Sequence, residues 1–305
     1  MKIRTVLGDI KPQELGVCTC HEHLLWTVPE PYTNDDLDLG FDSIPAAVAE
    51  MRHLKSKGGD ALVEMTTPEI GRAPKDLRQI SLASDVHVIA ATGHHKDKFS
   101  AAALAGLSLE SITNRIISDI TTGMDDSNIR AGIIKAATSK DHATETERLV
   151  IQAVGAAFQA TGAPVATHTE GGTFAVEQAQ LLINAGVEPH HLLIGHLDRN
   201  QPLSVYTQLA EMGVFLGFDQ IGKEKYWPDK ERVKLIQTLI NLGYTQQILL
   251  SCDNARKSGW HTHNPYQDGP AYLLTTFIPA LQKSGVSEDN IYNMLVTNPQ
   301  NFLAF

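Results

Sequence analysis

Cysteine is almost missing: Cys18, Cys20 and Cys252 are the whole supply in 305 residues. Three thiols cannot all pair, which excludes a disulfide-stapled scaffold and favours a reducing, cytoplasmic setting. Long apolar runs are also missing, because no uninterrupted stretch reaches the roughly 18 residues that a bilayer-spanning helix needs. The opening MKIRTVLGDIKPQELG breaks its short apolar stretch with Gly8, Asp9, Lys11 and Pro12. No signal-peptide core is therefore expected, and the chain is expected to be soluble and unprocessed. A basic excess is lacking: 25 Lys and Arg stand against 35 Asp and Glu, a formal net charge of -10. That balance argues against a nucleic-acid partner or an anionic membrane and leaves a small-molecule partner. Finally, no glycine-rich phosphate fingerprint follows an early strand, which weakens an open doubly wound sheet.

What is present is a repeated unit. Short apolar runs rich in β-branched residues alternate with stretches of helical period, and 42% apolar residues suffice for a large core. The runs are Gly16 to Cys20, Asp60 to Met65, Val86 to Ala91, Ile129 to Lys135, Ala163 to Thr167, Leu192 to Gly195, Gly213 to Phe218 and Gln247 to Cys252. Between the fourth and fifth, Thr144-x-x-Glu147 reads as a capping box. Leu149, Val150, Ala153, Val154, Ala157 and Phe158 then share one helical face before Thr161-Gly162 ends the helix. With no linker or low-complexity segment between units, the pattern predicts one domain over residues 1–305, an α/β fold of the (β/α)8 TIM-barrel type.

In such a barrel the C-terminal ends of the strands carry the chemistry. His21 and His23 stand two apart in an extended segment, so both imidazoles point to one face, away from Cys18, Cys20 and Glu22. Lys135 closes the predicted fourth strand, His168 follows the fifth, His196 the sixth and Asp253 the eighth. Together they form a set of candidate metal ligands on one rim. A buried lysine beside histidine ligands is costly as an ammonium ion. Carboxylation to N6-carboxylysine would turn Lys135 into an anionic two-oxygen ligand able to bridge two divalent cations. The three cysteines are read as small packing residues between barrel and helices.

The segments Cys20-His21-Glu22-His23-Leu24, Ala131-Gly132-Ile133-Ile134-Lys135, Thr167-His168-Thr169, Ile194-Gly195-His196 and Ser251-Cys252-Asp253 resemble the phosphotriesterase family of the amidohydrolase superfamily. The resemblance covers almost the whole chain. It implies a binuclear zinc centre, with His21, His23 and Asp253 on one metal, His168 and His196 on the other, and carboxylated Lys135 between them. It also implies a homodimer. Where the phosphotriesterase pattern has a histidine and an acid in a proton relay, this chain has Gln220 and Arg199. It is more similar to the lactonase branch of the family, and Gly222-Lys223-x-Lys225-Tyr226 resembles a subgroup acting on phosphorylated sugar lactones.

The expectation is a lactonase in which a hydroxide attacks the carbonyl of a sugar-acid lactone and Asp253 transfers the proton to the leaving ring oxygen. Lys223, Lys225, Tyr226 and Arg256, on the loops after the seventh and eighth strands, are the expected substrate contacts, with Lys223 and Arg256 on the phosphate. The same centre also suits a phosphotriesterase, a phosphodiesterase or an acyl-homoserine lactonase, and a metal-binding barrel without activity is the reading from another class. His94, His95, Lys96 and Lys98 form a further basic group on the third loop. The loop from Asn254 to Pro270 reads as a lid whose histidines, His261 and His263, are exposed or supporting groups and not ligands.

Overall fold

Strands buried on both faces need cover on both sides; helices that follow the barrel strands cover the outer face, and closing the sheet buries the inner one. The computed structural model describes residues 1–32 and 36–305. A hairpin of β1 (Ile3–Thr5) and β2 (Gly8–Ile10) comes first. It is followed by β3 (Cys18–Glu22), α1 (Ile44–Ser56), β4 (Ala61–Glu64), α2 (Pro74–Ser84), β5 (His87–Gly93), α3 (Asp97–Leu104) and α4 (Leu109–Thr121). Then come β6 (Ile133–Thr138), α5 (Glu145–Thr161), β7 (Val165–Thr169), α6 (Ala175–Asn184) and β8 (Leu192–Ile194). The last units are α7 (Leu203–Glu211), β9 (Phe215–Phe218), α8 (Asp229–Asn241) and β10 (Ile248–Leu250), with short helical segments beyond. Strands β3 to β10 lie side by side in chain order, and every ladder between neighbours is parallel.

This is the expected (β/α)8 barrel. Its seam between β10 and β3 is closed by single bonds: His21 N–H donates to Ser251 Oγ at 3.0 Å, and Asp253 N–H donates to His21 O at 3.1 Å. Alternation along the strands separates two cores. Leu62, Val88, Ala90, Ile134, Ala136, Leu192 and Leu216 face the helices, whereas Val63, Ile89, Ala91, Ile133, Ala166, Leu193, Phe215 and Leu249 fill the barrel. Ile3 of the hairpin and Phe302 near the C-terminus belong to the inner core.

Several local expectations shift. The fourth barrel strand begins at Ile133 and runs on to Thr138, so Lys135 lies inside it and not at its end. The hairpin β1–β2 is not foreshadowed by the repeated unit. Cys18 and Cys20 pack in the inner core, not between barrel and helices, while Cys252 does lie on the helix side. Cys18 pairs with the inward-facing Ala61 and Cys20 follows it by alternation, while a register irregularity between Thr19 and Glu22 breaks strict alternation and lets His21 turn inward as well. Helix α5 follows its signals: Thr144 Oγ1 accepts from Glu147 N–H at 3.2 Å, Glu147 Oε2 accepts from Thr144 N–H at 2.9 Å, and Gly162 (φ 70°) ends the helix. Among the described residues no helix is long and apolar enough to cross a membrane.

Candidate metal centre

The inner core stops one layer below the C-terminal rim, where polar residues replace apolar ones on the same strands. Lys135 follows Ile133 two places along β6, and His168 follows Ala166 two places along β7, so each projects into the barrel above an apolar neighbour. His21 comes from β3, and His23 from just beyond it. His196 and Asp253 lie past the ends of β8 and β10 in the left-handed region, with φ of 58° and 49°. Such a backbone is unfavourable for residues with a Cβ and persists only where surroundings hold it. Here the His196 N–H donates to Asp219 Oδ1 at 2.9 Å, and Asp253 is held by its bond to His21.

The structure thus brings His21, His23, Lys135, His168, His196 and Asp253 to one cavity of about 190 Å³. The rings of His21 and His196 are 4.9 Å apart between centroids, and those of His168 and His196 4.5 Å. His21, His23 and Asp253 each present a donor atom within 4.8 Å of the others, and so do His21, His196 and Asp219.

Supporting hydrogen bonds decide which atoms face the cavity. Asp219 Oδ1 accepts from His196 Nδ1 at 2.8 Å, so His196 keeps Nε2 as a free lone pair. Thr66 Oγ1 lies 2.8 Å from His23 Nδ1 and in turn donates to Glu64. That leaves His23 Nε2 turned toward Asp253 Oδ1 at 3.7 Å. His21 Nδ1 and Asp219 Oδ2 are buried 3.1 Å apart without the alignment of a hydrogen bond, and neither has another partner.

Burial pushes His21 below its ordinary range, His23 well below it and His168 down to about 3, so all three are neutral imidazoles at physiological pH. Burial alone would raise the Asp253 carboxyl, but Lys223, His196, His21 and His23 together hold it well below the usual carboxylate range. Burial lowers the Lys135 amine to about 8, although the acids around it oppose the shift, and its Nζ donates to Met65 O at 3.0 Å. Neutral nitrogens, a carboxylate and two orphaned polar atoms form a donor set that suits divalent cations.

Cations gather at the mouth. Lys223, Tyr226 and Arg256 border the same cavity, whereas Lys225 lines an adjoining one shared with Lys223 and Arg256. Lys223 Nζ pairs with Asp253 Oδ2 at 2.6 Å, and Arg256 Nη1 with Asp36 Oδ2 at 2.5 Å. Arg199 stacks on Tyr226, its guanidinium carbon 3.5 Å from the ring centroid, and donates to Gln220, which donates to Asp253 at 3.2 Å. Of the third-loop group, His95 and Lys96 reach the cavity, with the His95 ring 4.7 Å from that of His168. His94 instead bonds Glu69, and Lys98 lies 4.2 Å from the ring centroid of Tyr32.

Sequence reasoning missed the acids behind the centre. Asp219 orients His196, Glu64 anchors Thr66, and Glu170 faces His168 Nε2 at 3.3 Å. Glu22 accepts from Ser251 Oγ and from the N–H groups of Cys252 and Asn254, each at 2.8 Å. Their available signal is position, since each lies within two residues of a strand end.

Residues 1–303 match the profile of the Phosphotriesterase family. A phospho-furanose lactonase of Mycoplasmopsis synoviae is 33% identical over 99% of this chain and 91% of its own length. The crystal structure of an amidohydrolase from Mycoplasma synoviae superposes with a TM-score of 0.95 at 32% identity, covering 100% of this chain and 92% of that one. A lactonase from Listeria monocytogenes gives 0.91 at 29% identity, covering 100% and 99%. With the barrel, the rim histidines and this full-length likeness in agreement, the chain belongs to the phosphotriesterase family and is one of its hydrolases.

Proposed function

We propose that the protein is a metal-dependent lactonase that opens a phosphorylated sugar-acid lactone. In this reading His21, His23 and Asp253 would hold one divalent cation, His168 and His196 a second, and a carboxylated Lys135 would be a ligand common to both. Zinc suits this donor set. The observation that carries the substrate class is the mouth of the cavity, where Arg199, Lys223 and Arg256 border the same space as the histidines. The phospho-furanose lactonase among the relatives supports the same class.

Bound there, two divalent cations would supply a lowered pKa for a water and polarisation of a carbonyl oxygen. The remaining steps fall to the chain. Asp253, its Oδ2 held in place by Gln220 and Lys223, would take a proton from the attacking water and pass it to the departing ring oxygen. The lowered pKa of Lys135 leaves a fraction of its amine neutral, and that form would add to carbon dioxide with loss of one proton, giving the anionic ligand that two cations need. A phosphate competes with Asp253 for Lys223 and with Asp36 for Arg256, and its binding orients the ring at a distance from the reacting carbon.

The test is hydrolysis of matched five-membered sugar lactones, with and without a terminal phosphate, by protein reconstituted with zinc and bicarbonate. The phosphorylated lactone is expected to react with the higher kcat/KM, and Arg256→Met to raise KM for that substrate alone. Equal rates on both would reject the phosphate assignment. Turnover of no lactone would reject the function.

A further inference from the structure

His95 is the one imidazole on the cavity wall to which the proposed reaction gives no task. It stands two residues past β5, and its backbone is held by Glu69, a buried acid from the loop after β4. Glu69 Oε1 accepts from His95 N–H and, at 2.8 Å, from Thr67 Oγ1, while its Oε2 lies 3.1 Å from His94 Nδ1. The His95 ring is wedged between two others, its centroid 4.7 Å from that of His168 and 5.1 Å from that of Phe99. A pinned backbone and flanking rings leave the side chain little freedom to turn.

The two ring nitrogens have different surroundings. Lys96 N–H points at His95 Nδ1 from 2.7 Å. A backbone N–H can only donate, so Nδ1 is the acceptor and the ring carries its proton on Nε2. That Nε2–H bonds none of the described residues. Since His95 is half-buried and borders the catalytic cavity, the N–H is left for a molecule inside it.

Charge divides the mouth of that cavity. β5 is the third strand of eight and β9 the seventh, so the loops that follow them face each other across the barrel. Lys223 stands on the loop after β9, with Arg256 beyond β10. Lys96, the cation next to His95, is already paired with Glu170. A phosphate therefore goes to the Lys223 side, and His95 meets the opposite end of the molecule that the phosphate anchors. In a five-membered lactone with its phosphate on the side arm, the ring bond most remote from that arm joins the carbonyl carbon to the carbon bearing the 2-hydroxyl. The carbonyl faces the metal ligands in the proposed reaction, which leaves the 2-hydroxyl for His95.

We propose that His95 determines specificity for a hydroxylated ring: its Nε2–H donates to the 2-hydroxyl oxygen of the lactone. The inference rests on the lactonase reading and adds to it the residue that separates a sugar lactone from a deoxy one. Without that hydroxyl the N–H loses its partner in the closed complex, a loss that such sites convert into discrimination.

The test compares kcat/KM for a phosphorylated five-membered sugar lactone and for its 2-deoxy counterpart, with zinc-reconstituted protein. The unaltered enzyme is expected to favour the hydroxylated lactone by about tenfold or more. His95→Phe is expected to lose that preference by slowing on the hydroxylated lactone alone, and His95→Gln, whose amide keeps an N–H donor, to regain part of it. A residue of merely structural importance would lower both substrates together. That outcome, or an unaltered enzyme indifferent to the hydroxyl, would overturn the proposal. In protein carrying isotopically labelled histidine, nitrogen resonances should place the His95 proton on Nε2; a proton on Nδ1 would overturn the proposal whether or not His95→Phe folds. An unaltered enzyme that opened no lactone would reject the lactonase reading and this role with it, whereas one that opened both lactones equally would reject the role of His95 alone.

Discussion

Asp253 has its two oxygens in different surroundings: Oδ2 is saturated by Lys223 and Gln220, while Oδ1 looks toward His23. An amide there keeps the shape but cannot take a proton. Asp253→Asn is therefore expected to lower kcat by roughly 10²–10⁴ while the circular dichroism and melting temperature stay close to those of the parent. Unchanged turnover would remove Asp253 from proton transfer. Lys135 is buried with a single backbone acceptor, Met65 O, which is little for a group capable of three donations. Lys135→Ala is expected to lose metal and activity together, and a short carboxylic acid supplied with bicarbonate should restore part of both. A metal-replete, fully active Lys135→Ala protein would end the bridging role.

At the scale of the element, the N-terminal hairpin depends on charge as well as packing. Arg4 is buried against the barrel, donates to Ile120 O at 2.6 Å and pairs with Asp9 Oδ1 at 3.0 Å, while Lys2 and Arg130 reach the same carboxylate. Partial burial pushes Asp9 up, but the three cations outweigh it and its pKa lies below the ordinary 3.8. A carboxyl whose folded pKa is depressed stabilises the fold in full above its unfolded value, and that contribution is lost as the pH falls through the folded one. Asp9→Asn should thus lower the melting temperature at neutral pH, with the difference shrinking as the pH drops below 3.8. A difference that stayed constant into acid would assign the effect to packing.

Ser251 carries part of the bonding that closes the whole barrel. Its hydroxyl accepts from His21 N–H at 3.0 Å and lies 2.8 Å from both His21 O and Glu22 Oε1, where the other strand pairs have ladders. Removing that hydroxyl leaves a buried N–H and part of a buried carboxylate without partners. Ser251→Ala is expected to cost about 1–3 kcal/mol in urea unfolding, and to reduce metal affinity because His21 and Asp253 lie on either side of the seam. Stability equal to that of the parent would show that contacts elsewhere hold the seam. The closed ring also explains why the rim residues share one cavity: parallel strands in chain order place every C-terminal end on the same side.

The strand-helix repeat, the single run of eight parallel strands and the candidate ligands were legible from the chain itself. Hydrophobic period and the position of a polar residue at a strand end are local properties that no distant contact has to supply. Even the helix cap at Thr144 and the stop at Gly162 belong to this class, because both are settled within one turn. Only the tertiary structure decided the rest. The inward face of Cys18 and Cys20, and the irregularity that brings His21 in beside them, depend on how β3 fits β4. The bond from Asn254 N–H to Glu22 spans 232 positions, and the meeting of His53 with Asp268 spans 215. Such pairings depend on the register and closure of the barrel, which bring side chains together irrespective of sequence distance, so no local pattern could announce them.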